Sequence, residues 1–529
     1  MGRRGAFKIF YNGSIYIKFD KISPVESIVT NEGRIEFYGT SEESMKRYAN
    51  LAERIINLEG KVVFPGFVDS HLHLDDLGSS LTYLDLRGTD SIKEMKERLK
   101  RYRMKNPKTR VIIGMGWDQE SFAEVRWPER SDIDEIVDDI PVFLERFCEH
   151  AAVINTRMLD IVDSSLFSKN VMPLSSDGKP SGVVKEEAEA YFKGIAHDLI
   201  GNEDENLSVS AKYLLSLGVT TVGFVSCGLK SIEYLSREGS QLGLRIRAYL
   251  TEDAADNMEQ LRKKIRENSY LRINGIKLFA DGALGAATAA LREPYEDDSE
   301  SKGMLILESG DLVEKFKRYY SRDVQFAIHA IGDKGIDAVI EAVSEFGRDR
   351  LVEPRIEHCT VLREDHIRRL KDLNIGVSVQ PAFVIDDWWA VKRLGKERSR
   401  LSYPLSTLYK SQVKIGISTD SPVEPPNPWI TVDAAVNRGE REGREILNYS
   451  GDERVNLSIA LFLYTEGSAS LLMDRDVGSL EIGKFADFVV LDKDPFDLQD
   501  VRSVKVLETY VSGVSRFRVS DDTPYSDSS

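Results

Sequence analysis

Cysteine is scarce. The 529-residue chain holds three, Cys148, Cys227 and Cys359, with no paired spacing, which argues against a disulfide framework and against a cysteine-based zinc site. Long apolar runs are also missing. No stretch approaches the ~18 residues that cross a bilayer, and the basic start at Arg3 and Arg4 is not followed by the apolar segment of a secretory signal. Positive charge is in deficit: 71 Lys and Arg stand against 87 Asp and Glu, a formal net charge of -16, with a pI near 5.2. That sign is wrong for nucleic acid or an anionic membrane as partner. What remains, 41% hydrophobic and 30% charged residues, is globular composition with a solvated surface. The expectation is a soluble, reduced, cytoplasmic protein.

The chain is long enough for two or three domains, or for one barrel with additions. Residues 1–60 read as half of a β-sandwich, with short runs Phe7–Tyr11, Ser14–Ile17, Ser27–Val29 and Arg34–Tyr38 between turn residues and one helix over Glu43–Glu53. Residues 476–520, with Ala486–Leu491 and Lys505–Val511, read as the other half, so that one sandwich draws on both termini. Residues 521–529 read as a disordered polar tail. Between the ends the pattern alternates strand and helix. The apolar run Val62–Val68 leads into the first strand (residues 61–78), and seven further runs follow: Gly218–Val225, Leu244–Leu250, Asn274–Ala280, Val324–His329, Pro354–His358, Ile375–Gln380 and Val413–Ser418. Eight strands with crossover helices predict an α/β fold, a (β/α)8 TIM-like barrel. Residues 79–205 interrupt that rhythm with their own helices and strands and read as an inserted α/β subdomain after barrel strand 1. Residues 206–475 complete the barrel.

In such barrels chemistry sits at the C-terminal ends of the strands. The first ends in His71-Leu72-His73, and side chains two apart on a strand share a face, which suits one metal ion held through imidazole nitrogens. Alone, the pair does not distinguish a metal site from two hydrogen-bonded histidines. The other strand ends add Lys277, His329, His358 and Asp420. Each has a bland explanation by itself; together they point to a metal-dependent enzyme. Lysine inside an apolar strand is costly unless paired or neutralised, and a lysine that has added CO2 becomes a carbamate with two oxygen donors.

These motifs resemble the amidohydrolase superfamily. Phe64-Pro-Gly-Phe-Val-Asp-Ser-His-Leu-His is similar to its first-strand motif, and Gly478-Ser-Leu-Glu-Ile-Gly-Lys-Phe-Ala-Asp-Phe-Val-Val-Leu to its C-terminal sandwich signature. Lys277-Leu-Phe-Ala-Asp-Gly-Ala-Leu-Gly, His329-Ala-Ile-Gly-Asp and Gln380-Pro-Ala-Phe resemble its YtcJ-like (amidohydrolase-3) branch. The resemblance implies two zinc ions, one held by His71, His73 and Asp420, the other by His329 and His358, with carbamylated Lys277 between them. It further implies a metal-bridging hydroxide that attacks a non-peptide C–N bond (amide, N-acyl or N-formyl) of a small-molecule substrate, with Asp420 as general base and then acid. A deaminase or esterase on the same centre, or a metal-free binding or scaffold relative, are the alternatives. Expected substrate contacts are His150, Trp117, Asp118, Asp281, Arg146 and Trp388, and a homodimer is the expected assembly.

Overall fold

The computed structural model describes residues 7–20, 23–147, 150–162, 166–200, 203–320 and 323–519; Cys148 and the 521–529 tail lie outside them. The chain forms two compact units, Met1–Leu77 with Leu207–Ser529, and Gly78–Asn206.

The first unit holds the barrel. Parallel strands covered on both faces read as unbroken apolar runs, and these are β1 (Phe67–Leu72), β2 (Val219–Cys227), β3 (Arg245–Leu250), β4 (Leu271–Phe279), β5 (Gln325–Ala330), β6 (Arg355–His358), β7 (Gly376–Val379) and β8 (Ile415–Ile417). Each pairs in parallel with the next. The ring closes where Asp420 N–H donates to His71 O and His73 N–H to Ser421 O, both at 2.9 Å. The helix Asp333–Phe346 shows why the crossovers pack as they do: Ile336, Val339, Ile340 and Val343 recur at helical spacing and are all buried against the strands.

The same unit carries the sandwich built from both ends of the chain. One sheet runs Arg34–Gly39, Ser27–Asn31, Phe7–Tyr11, Ala52–Asn57; the other runs Ser14–Ile15, Val62–Pro65, Phe488–Leu491, Val506–Val511, Val514–Arg518. Phe10, Phe488 and Tyr510 interlock between them, with ring centroids 4.5–5.2 Å apart.

The structure departs from two of the sequence expectations. The run Val62–Val68 is not one strand but parts of two. Val62–Pro65 pairs with Phe488–Leu491 in the sandwich, and Phe67–Leu72 pairs with β2 in the barrel. Gly66 is the switch: its N–H donates to Asp487 O at 3.0 Å, and a Cβ on it would lie 2.3 Å from Thr220 Oγ1. The helix expected over Glu43–Glu53 spans Ser41–Tyr48, started by a Thr40/Glu43 capping box. It stops because Ala52–Asn57, with β-branched Ile55 and Ile56, pairs beside Phe7–Tyr11 instead.

The second unit is a mixed five-stranded sheet in the order Val183–Lys185, Ala151–Ile154, Val142–Arg146, Ile112–Trp117, Leu84–Asp85. Period-2 alternation divides its strands between two cores. Ile112 and Leu144 meet Met95 and Leu99 of the helix Ile92–Lys105, while Ile113 and Phe143 meet Ala188 and Phe192 of the helix Glu186–Ile200. The unit's two ends touch. Asn206 Nδ2 donates to Ser79 Oγ at 2.9 Å, and a Cβ on Gly78 would stand 2.2 Å from Asn206 O.

Candidate metal centre

Barrel closure brings the end of β1 against the turn that follows β8. His71 Nε2 lies 3.1 Å and His73 Nε2 3.3 Å from Asp420 Oδ1, and one ligand atom from each of the three falls within 4.8 Å of the others. His71 and Asp420 are 0% and 6% exposed. Among the described residues neither buried atom, His71 Nε2 or Asp420 Oδ1, makes a hydrogen bond, although the two lie side by side, an expensive arrangement for polar atoms unless something else satisfies them. Two imidazole nitrogens and a carboxylate oxygen form a donor set that suits zinc and neighbouring divalent ions. The residues fit a metal.

The tautomers fit as well. His71 Nδ1 is hydrogen-bonded to Glu357 Oε2, which leaves Nε2 as the ligand atom, the carboxylate–histidine pattern of metal sites. Arg355 Nε in turn lies 2.6 Å from Glu357 Oε1. Burial would raise the Glu357 carboxyl, but Arg355 and His71 hold it down at about 2. Asp420 is likewise held well below the usual carboxylate range: burial opposes ionisation, and the facing His71, His73 and His358 outweigh it.

His329 and His358 stand beside this group. Their ring centroids are 4.6 Å apart, and His358 is 5.0 Å from His71. His358 Nδ1 is 2.9 Å from Gln380 Oε1 and His329 Nε2 is 3.1 Å from Gly282 O, so each ring donates through one nitrogen and keeps a lone pair on the other. Burial, together with Lys277 in one case and His329 in the other, pushes His329 down to about 3 and His358 further below its ordinary value. Lys277 is buried on β4 with no side-chain hydrogen bond among the described residues, its Nζ 4.9 Å from the centroid of the Phe279 ring. Burial lowers it to about 8, against the pull of Glu357 and Asp420.

The backbone contributes to this gathering. Strict alternation along β6 would turn Glu357 and His358 to opposite faces. Left-handed φ values of 75° at His358 and 51° at Cys359 re-aim the strand end, so that both neighbours serve the same centre. Asp420, at φ 58°, is likewise in the left-handed region that aspartate tolerates better than most residues.

The expected substrate contacts fall in different places. Trp117 is enclosed in the core of the inserted unit, donating Nε1–H to Leu144 O at 2.8 Å and packed on Phe122 and Trp127. Asp118 is paired with Arg146 at 2.8 Å, and Arg146 also reaches Gln119. His150 is exposed, 3.5 Å from Glu186. In the barrel unit Asp281 is buried and accepts the N–H groups of Ala290, Ile331 and Gly332 at 2.8–2.9 Å. Burial raises its carboxyl to about 7 in spite of those bonds. It ties the β4 loop to the β5 loop. Trp388 stands 64% exposed in the loop after β7.

Sequence reasoning gave no role to Glu357, Arg355 and Glu424, and used Gln380 only as part of a family motif. The first two were visible as charged residues inside an apolar strand, which is the signal that singled out Lys277. Glu424, buried four residues beyond Asp420, is raised to about 9 by burial and by Asp386, Asp387 and Asp420.

Comparison with known proteins places this geometry among relatives. The amidohydrolase family matches residues 54–517. The chain is 30% identical over 522 residues to a putative amidohydrolase, YtcJ, of Bacillus subtilis (strain 168), covering 96% of this chain and 98% of that one. It is 25% identical to an N-substituted formamide deformylase of Arthrobacter pascens, covering 94% and 95%. Among solved structures, an uncharacterized metal-dependent hydrolase from Pyrococcus furiosus superposes with a TM-score of 0.80 at 38% identity, covering 93% of this chain and all of that one.

Proposed function

The chain belongs to the amidohydrolase family, and from that premise we propose that it hydrolyses a non-peptide C–N bond, in an amide, N-acyl or N-formyl group, of a small molecule in the cytoplasm. The observation that carries the reading is the buried pair His71 Nε2 and Asp420 Oδ1, 3.1 Å apart and without hydrogen bonds among the described residues, with His73 beside them. In this reading His71, His73, Asp420, His329, His358 and Lys277, the last as its carbamate, would hold two zinc ions. A bound divalent ion supplies Lewis acidity toward a carbonyl oxygen and lowers the pKa of water to about 7.

The chain's own groups do the rest. Asp420 is ionised, with Oδ1 turned to His71 and His73 and Oδ2 4.0 Å from His358 Nδ1. It takes the proton of the attacking water and returns it to the departing nitrogen. Glu357 keeps the His71 ring in one tautomer and one orientation. Burial leaves Lys277 easier to deprotonate than a surface lysine, with a pKa of about 8, and only the neutral amine adds CO2.

The test is elemental analysis of protein purified without chelator, followed by a panel of N-formyl and N-acyl amines, dipeptides, aminopurines and esters. About two ions per chain and turnover of the N-acyl or N-formyl compounds, lost in Asp420→Asn, is the expected result. Turnover confined to dipeptides, aminopurines or esters, or full activity in Asp420→Asn, overturns the reading.

A further inference from the structure

Phe279 occupies an unusual position for a large apolar side chain. It is the last residue of β4 and pairs in register with His329. It lies two residues beyond Lys277 and so on the same face of the strand, one layer nearer the mouth of the barrel. Its ring centroid is 5.5 Å from the His329 ring, yet Phe279 is 41% exposed while its neighbour Leu278 is buried. On the far side of the histidine pair Phe383 lies nearly parallel to His358, with centroids 6.0 Å apart and planes 13° apart. The rings run in the order Phe279, His329, His358, Phe383. Two further apolar side chains, Trp388 after β7 and Val423 after β8, are more than 60% exposed on loops that leave the same end of the barrel.

Single exposed apolar residues are ordinary. An aromatic ring half open to solvent and in contact with a ring of the metal-binding group is different, because whatever binds at the centre must meet it. Resting on the metal-centre reading above, we infer that Phe279 is a specificity-determining residue, and that with Phe383 it selects substrates whose acyl or amine substituent is an aryl or bulky alkyl group. Small and strongly polar substituents leave the Phe279 face wet. An aromatic substituent covers it. Covering one such face is worth about tenfold in affinity.

The test uses two metal-chelating probes of different bulk, acetohydroxamic and benzohydroxamic acid, titrated calorimetrically into protein of measured metal content; no turnover is needed. Wild type is expected to prefer benzohydroxamate by about tenfold or more. Phe279→Ala should bring that ratio to within about twofold, and Phe279→Leu, which keeps apolar bulk, should fall between. A metal-loaded wild type without the preference, or a preference that survives Phe279→Ala, overturns the role of Phe279 and leaves the hydrolase reading standing. Protein that takes up no metal and binds neither probe overturns both.

Discussion

Replacing Glu357 by glutamine separates two tasks that one carboxylate performs. Its Oε2 holds His71 Nδ1, and its Oε1 faces Arg355, which is fully buried, donates to Ser70 O at 3.0 Å and lies 4.3 Å from the Tyr249 ring centroid. Glutamine keeps the shape and removes the charge. For the metal-free protein the dominant effect is a buried guanidinium left without its counter-ion. Breaking such a pair costs about 3–5 kcal/mol, and the two remaining Arg355 contacts favour the lower end. For metal binding the effect is the loss of a carboxylate behind a ligating imidazole, about 10–100-fold in affinity. Thermal unfolding in chelator reads the first effect, and zinc competition against a chromophoric chelator reads the second. The double variant Glu357→Gln/Arg355→Met removes the stranded charge. It should regain most of the metal-free stability and none of the zinc affinity. If Glu357→Gln bound zinc within about twofold of wild type, the carboxylate would not be orienting His71, and the argument from the tautomer would fail.

Two further outcomes test the fold. Asp337 accepts Arg292 Nε and Nη2 at 2.6 Å each and lies 3.2 Å from His366 Nε2; although burial opposes ionisation, these partners hold its carboxyl well below 3.8. A depressed carboxyl contributes stability above its unfolded pKa, so Asp337→Asn should lower stability by about 2 kcal/mol at pH 7, and the gap between melting curves should close as pH falls below about 4; a gap that is constant down to pH 3 contradicts this. Gly66→Ala drives a methyl into Thr220 and should cost about 1–3 kcal/mol, part of it recovered by Thr220→Ala; equal melting temperatures for wild type and Gly66→Ala would remove Gly66 as the sheet switch.

The barrel was readable because strands buried on both faces leave no polar alternation to confuse with helix, and because ionisable residues inside such strands have few bland explanations. His71, His73 and Asp420 meet at the centre for that reason. The misreadings share a cause: local pattern reports how a side chain is buried, not against what. Val62–Val68 is apolar throughout, and nothing but Pro65-Gly66 signals that the first half serves one sheet and the second half another. Ala52–Asn57 alternates weakly, with Glu53 and Arg54 both exposed, and continues a helical pattern until Ile9 and Phe10 arrive from far away in the chain to pair with it. Glu357 was visible as a charge inside an apolar strand but was given no role beside His358. Strand alternation turns adjacent residues to opposite faces, and the left-handed turn at His358 brings both Glu357 and His358 to the site.

The contact between Gly78 and Asn206 changes what the barrel must do to form. β1 and β2 are neighbours in space but are separated along the chain by the whole of the second unit, and the entropy of closing a flexible loop grows with its length. Once the 78–206 segment has condensed with its ends touching, β1 and β2 are tethered as if by a short turn. The segment also leaves the ribosome before β2 does. A segment that folds before β2 is paired converts a slow, non-local pairing into a local one, so a destabilising change deep inside it should slow assembly of a barrel whose strands it leaves chemically untouched.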